Sequence, residues 1–110
     1  MPVPVAGKTD VPQRFWIIFD LACSNLDGLD VRIDRIVDVF YARENVADQT
    51  LGVTLTTGDA DMSMMVEAAG FDAAARHARR VVEDVLADAG EDLGRWTIAS
   101  PTDPVDALRS

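Results

Sequence analysis

Residues Leu51 to Gly70 read LGVTLTTGDADMSMMVEAAG, and this stretch decides the fold. Leu51, Val53 and Leu55 alternate with Gly52, Thr54 and Thr56. TGDAD then breaks the alternation, after which Met62, Met64, Val66 and Ala68 alternate with Ser63, Met65 and Glu67. Two period-two segments joined by Gly and Asp form the pattern of a β-hairpin. The spacing predicts strands on both sides of a turn at Thr57–Asp61, with Asp59 and Asp61 in the turn.

Working outward, each side of the hairpin carries one helical pattern and one strand pattern. Upstream, Arg14–Cys23 (RFWIIFDLAC) is aromatic and β-branched, as strands prefer. Its wholly apolar row, Phe15, Ile17, Phe19, Leu21 and Cys23, is expected to face the core. Its other row, Arg14, Trp16, Ile18, Asp20 and Ala22, is mixed. Ser24–Gly28 reads as a loop, with Asp27 as the expected cap of a helix from Leu29 to about Arg43. Leu29, Ile33, Ile36, Val37 and Phe40 supply that helix with one apolar stripe. Asn45 to about Thr50 then leads into the hairpin.

Downstream, Gly70 opens a second helix from Phe71 to about Ala89. Its stripe is Phe71, Ala74, Ala75, Ala78, Val81, Val82, Val85, Leu86 and Ala89. Gly90 takes the left-handed position that ends it. Glu91–Gly94 is a turn, and Arg95–Ser100 is a last strand with Trp96 and Ile98 on one side. Residues 1–12, with Pro2, Pro4, Gly7 and Pro12, read as a mobile arm. Residues 13–100 form one domain, and 101–110 a tail in which Asp103-Pro104 is set to start one helical turn.

The order β-α-β-β-α-β with right-handed crossovers resembles the ferredoxin-like sandwich: a four-stranded antiparallel sheet of order 4-1-3-2 with two helices on one face. The resemblance spans about residues 14–100 and is to a fold shared by many activities, so it implies no reaction. It does imply an open sheet face. On that face fall Trp16, Ile18, Asp20 and Ala22 of the first strand, and Ser63, Met65 and Glu67 of the third. The second strand adds Thr54 and Thr56, and the last adds Arg95, Thr97 and Ala99. Trp16, Ile18 and Met65 would cluster on the central strands, with Thr54, Thr56 and Thr97 around them. Such a patch marks a contact surface. A two-fold dimer through this face is the expected solution, ahead of cover by the arm or tail, a different protein or a small ligand.

Ten basic and 19 acidic residues give the 110-residue chain a net charge of −9. That charge disfavours nucleic acid and anionic membranes. RNA-binding modules of the same strand order read bases with aromatics on both central strands. The third strand here offers Ser63, Met65 and Glu67 instead. No apolar run reaches membrane-spanning length, and MPVPVAGKTD lacks the apolar segment of a signal peptide, so a cytoplasmic location is expected. Nine Arg against one Lys fits a high-GC genome of the actinobacterial or phage kind.

Candidate chemistry is sparse. Asp20, Glu67 and His77 are the side chains suited to proton transfer if the open face encloses a cleft. His77, the single histidine, has no second His or Cys near it in sequence, so neither a metal nor a cofactor is expected. Asp59 and Asp61 read as turn residues before they read as cation ligands. Cys23, the single cysteine, reads as a buried hydrophobe with no basic neighbour in sequence. Met62, Met64 and Met65 read as packing, and Arg76, Arg79 and Arg80 as ion-paired surface. The favoured function is a non-enzymatic binding, regulatory or assembly module that self-associates. Its alternatives are a cofactor-free enzyme of the dimeric α+β barrel type and an acidic inhibitor of a basic protein.

Overall fold

The computed structural model describes residues 13–99 and 101. Among them the elements are β1 (Gln13–Cys23), α1 (Leu29–Tyr41), β2 (Ala47–Thr54), β3 (Asp59–Ala68), α2 (Phe71–Asp88), a 3-10 turn (Leu93–Arg95) and β4 (Trp96–Ile98). The architecture is α+β. The four strands form one antiparallel sheet in the order β2-β3-β1-β4, which is the expected 4-1-3-2 viewed from the other edge. The expected arm, the end of the last strand at Ser100 and the helical turn at Asp103-Pro104 lie outside the described residues.

The alternation in β1 and β3 sets the register. Phe15 pairs with Val66, Ile17 with Met64, Phe19 with Met62 and Leu21 with Ala60. These rows face the helices and are buried, except the half-buried Phe15 and Ala60. Leu29, Ile33, Ile36 and Phe40 come down from α1, and Ala74, Ala78, Val81, Val82, Val85 and Leu86 from α2, to complete one core cluster. The alanines at the start of α2 leave room for Phe15 to meet Phe71 edge to face, with ring centroids 6.3 Å apart. Gly90, at φ 85°, ends α2 as expected. The Glu91 amide donates to the Leu86 carbonyl and the Gly90 amide to the Ala87 carbonyl, so these two carbonyls of the last turn are satisfied.

Four boundaries differ from the sequence expectation. The hairpin turn is Leu55–Gly58, so Asp59 and Asp61 belong to β3, and Leu55 and Thr56 leave the sheet. The residues DAD continue the period-two pattern: Asp outward, Ala60 inward, Asp outward, Met62 inward. Sheet pairing therefore outweighs the turn preference of Asp. β2 begins at Ala47, inside the expected loop, with a bulge between Ala47 and Thr50 where Asp48 sits at φ 54°. The cap of α1 is Gly28 rather than Asp27. Arg95 belongs to the 3-10 turn, which leaves β4 only three residues long.

Gly58 holds the turn to the end of β1. Its amide donates to the Thr54 carbonyl, and its own carbonyl accepts from the Cys23 amide. Its φ is 81°, and a Cβ there would lie 2.3 Å from the Cys23 carbonyl oxygen and 2.8 Å from Leu26. Both the backbone conformation and the backbone contact demand glycine. Gly58→Ala is expected to destabilise the fold by about 3 kcal/mol. Urea unfolding would show this as a lower midpoint with an unchanged slope.

Candidate functional site

The side of the sheet away from the helices carries Arg14, Trp16, Ile18 and Asp20 from β1. Opposite them on β3 stand Glu67, Met65, Ser63 and Asp61, in that order. Trp16 is 43% exposed and Ile18 47%, and both flank the half-buried Met65 and the buried Ser63. Exposed Thr50 on β2 adjoins this apolar centre opposite Ser63, whereas exposed Thr54 on β2 and Thr97 on β4 lie level with Ala22, beyond Asp20 and Asp61. Of the expected contact residues, Thr56 is the exception: it is in the hairpin turn. Arg95, also expected here, stands in the 3-10 turn, 3.8 Å from Asp92.

The two ends of this face differ in charge. At one end Arg14 lies 3.6 Å from Glu67. At the other, Asp20 and Asp61 are direct cross-strand partners. Asp61 also extends over Gly52 of β2, where a Cβ would lie 2.8 Å from its Oδ1. Asp59 follows on the same side, opposite Ala22 and Thr54. Two carboxylates directly opposite each other on neighbouring strands repel.

The three proton-transfer candidates do not converge. Glu67 and His77 line one cleft of about 470 Å³ with Arg14, Glu44, Asp48 and Met65. Asp20 lies six residues along β1 from Arg14, roughly 20 Å away at strand spacing. Glu67 lies 3.6 Å from Arg14 with both side chains largely exposed, and His77 stands exposed on α2. Among the described residues no group of three His, Cys, Asp or Glu is placed to hold a metal. No helix there is long and apolar enough to cross a membrane. Met62 and Met64 are core, and Arg79 pairs with Glu83 one helical turn on.

One polar cluster is not evident from sequence patterning. Arg32 on α1 donates from Nε to both Glu91 oxygens at 3.2 and 3.1 Å, and from Nη2 to Oε1 at 2.6 Å. Its Nη1 donates to the carbonyls of Asn25 and Asp27, each at 2.9 Å. Trp96 Nε1 donates to Glu91 Oε1 at 3.0 Å. Arg32 Nη2 also reaches Cys23 Sγ at 3.3 Å, so the cysteine has a basic neighbour from across the fold although none stands beside it in sequence. The Glu91 side chain is only 4% exposed. One ion pair thus ties together the end of β1, the loop after it, α1, the end of α2 and β4. The hydrogen bond from Arg32 holds the Glu91 carboxyl below the usual glutamate range, against the opposing push of burial. A sequence signal exists in hindsight. Glu91 is the second residue beyond the cap residue Ala89, directly after Gly90, a position where an apolar side chain is frequent. An acid there asks for a buried partner.

Compared with protein-family models, with curated proteins and with solved structures, the chain matches none.

The Arg32–Glu91 pair generates a pH dependence of stability. Glu91 has its folded pKa lowered from an ordinary value of 4.5. Its contribution is therefore complete above pH 4.5 and is lost as pH falls through the lower folded value. Arg32 stays charged throughout that range. Glu91→Gln is expected to cost about 3 kcal/mol at pH 7, because it leaves the guanidinium without its counter-charge. The difference from wild type should shrink by pH 3. Paired urea titrations at the two pH values check both points.

Proposed function

We propose that the protein is a small non-enzymatic module, a ferredoxin-like sandwich, that self-associates through its open sheet face as a regulatory, binding or assembly unit. The observation that carries this reading is the exposure of Trp16 and Ile18 side by side on a central strand, next to Met65. The helices occupy the other side of the sheet, so nothing in the core needs these two residues where they are. Burying them against a partner returns free energy at about 25 cal/mol per Å² of apolar surface, several kcal/mol per subunit. A centre of Trp, Ile and Met with Thr50 beside it and Arg14, Glu67, Asp20 and Asp61 at its two ends has the composition of an interface core inside a polar rim.

The reading of a cofactor-free enzyme draws on Glu67 and His77, which share one cleft. The Arg14–Glu67 ion pair and the distance to Asp20 leave that cleft short of a paired acid and base. The reading of an acidic inhibitor draws on Asp20, Asp59 and Asp61 and on the net charge of −9. It predicts binding to a basic protein that weakens steeply with salt, whereas an apolar interface depends little on salt.

Light scattering coupled to size-exclusion chromatography tests the favoured reading. The wild type is expected to elute as a dimer, and Trp16→Glu as a folded monomer with its circular dichroism preserved. A monomeric wild type overturns self-association.

A further inference from the structure

We infer that the occupant of the open face is a second copy of this chain laid antiparallel to the first, with β1 crossing β1 of the copy about a two-fold axis at the level of Ile17. This rests on the self-association proposed above and adds the geometry of the partner. The outward row of β1 reads Arg14, Trp16, Ile18, Asp20. It is a cation, two apolar residues and an anion, at equal spacing. Turned end for end about Ile17, the row complements itself. Arg14 meets Asp20 of the second copy, Trp16 meets Ile18 of the second copy, and the two-fold repeats both contacts.

A face-to-face two-fold axis lies in the interface plane, so it runs either across the strands or along them. An axis along the strands stacks like ends: placed on β1 it sets Asp20 against Asp20 and Arg14 against Arg14, and placed between β1 and β3 it sets Asp20 against Asp61 of the copy while Arg14 faces the copy's Glu67. An axis across the strands places the Asp20/Asp61 end over the Arg14–Glu67 end instead. On β3 it sets Asp61 toward Glu67 of the copy, but Arg14 stands beside that glutamate. For a chain of charge −9, the second arrangement removes the worst repulsion and supplies two ion pairs.

The distances allow it. Packed sheets lie about 10 Å apart and cross at about 30°. Arg14 is three residues from the axis, about 10 Å along the strand. The crossing displaces the strand ends sideways by only about 5 Å. The gap from Arg14 to Asp20 of the copy is within the combined reach of the two side chains. Trp16 and Ile18, next to the axis, interdigitate at the centre, where neither charge is buried.

Charge reversal on the full chain tests the orientation, with the dimer dissociation constant read by sedimentation velocity. In the antiparallel dimer, Arg14→Glu or Asp20→Arg alone sets like charges against each other at both symmetric contacts. Each is expected to raise the dissociation constant about tenfold. The double variant restores opposite charges and should return to within about twofold of wild type. In a dimer aligned along the strands, positions 14 and 20 of the two copies do not meet, so the two reversals act additively; additivity, or a tighter dimer from Asp20→Arg alone, overturns the inference. If reversal perturbs the sheet itself, Arg14→Gln and Asp20→Asn form a double-mutant cycle without new charge. Within one subunit the two sites are about 20 Å apart and do not couple. A coupling of about threefold therefore reports contact between copies, and strict additivity overturns it. A dimer that Trp16→Glu dissociates but the charge variants leave unchanged refutes the orientation alone. A monomeric wild type refutes self-association and the orientation with it.

Discussion

The structure depends on the register between β1 and β3. β1 is largely apolar on both of its sides, since Trp16, Ile18 and Ala22 share the outer row with Arg14 and Asp20, so its own sequence favours the inward side only weakly. β3 decides, because Met62, Met64 and Val66 alternate with Asp61, Ser63 and Glu67. A slip of one residue would turn one strand over relative to the other, carrying either Arg14 and Asp20 toward the helices and Phe19 into water, or Asp59, Asp61, Ser63 and Glu67 toward the helices and Met64 into water. The hairpin enforces the register at one end through Gly58, whose carbonyl accepts from Cys23. With that pairing fixed, the stripes of α1 and α2 meet a single continuous surface, and Phe19, Phe40 and Leu86 close over it without residual exposure.

The ends of the helices are secured differently. α2 ends at Gly90, and the chain returns through a short 3-10 turn to β4, which has only three residues. So short a strand adds little through its ladder. The Arg32–Glu91 pair and the Trp96 indole supply the missing constraint, since they bond the return segment to α1 and to the loop after β1. Arg43, just past the end of α1, and Asp88 of α2 form a second link. Among the described residues every buried side-chain nitrogen and oxygen has a partner, so the buried charges cost less than their desolvation alone suggests.

Much of this was legible in the sequence. Period-two and period-3.6 patterns located the four strands and two helices, and parity assigned Ile17, Phe19, Met62, Met64, Trp96 and Ile98 to the core. The rest was hidden for physical reasons. Asp59 and Asp61 favour turns locally, and only the inward demand of Ala60 and Met62 carries them into β3. Arg32 and Glu91 are 59 residues apart, and pattern reading treats each as a solvated charge until the fold brings them together. The open face was visible as Trp16, Ile18 and Met65. The separation of Asp20 from Glu67 follows from register, which spacing alone does not supply. Thr56 was misplaced for the same reason as the hairpin turn.

The bulge near the start of β2 bears on how the sheet ends. β2 is an outermost strand, and an unpaired outer strand offers its amides and carbonyls to any extended chain it meets. A molecule with an exposed Trp and Ile on its flat side would be doubly exposed to that hazard, since aggregation by lateral growth needs both a sticky surface and a template. Asp48, left-handed and charged, interrupts the ladder between Ala47 and Thr50 and turns the strand out of line. The irregularity works as a stop against fibril-like growth at that rim. In the proposed dimer, attraction between molecules is thereby directed to the flat side, where a two-fold contact closes on itself after two copies.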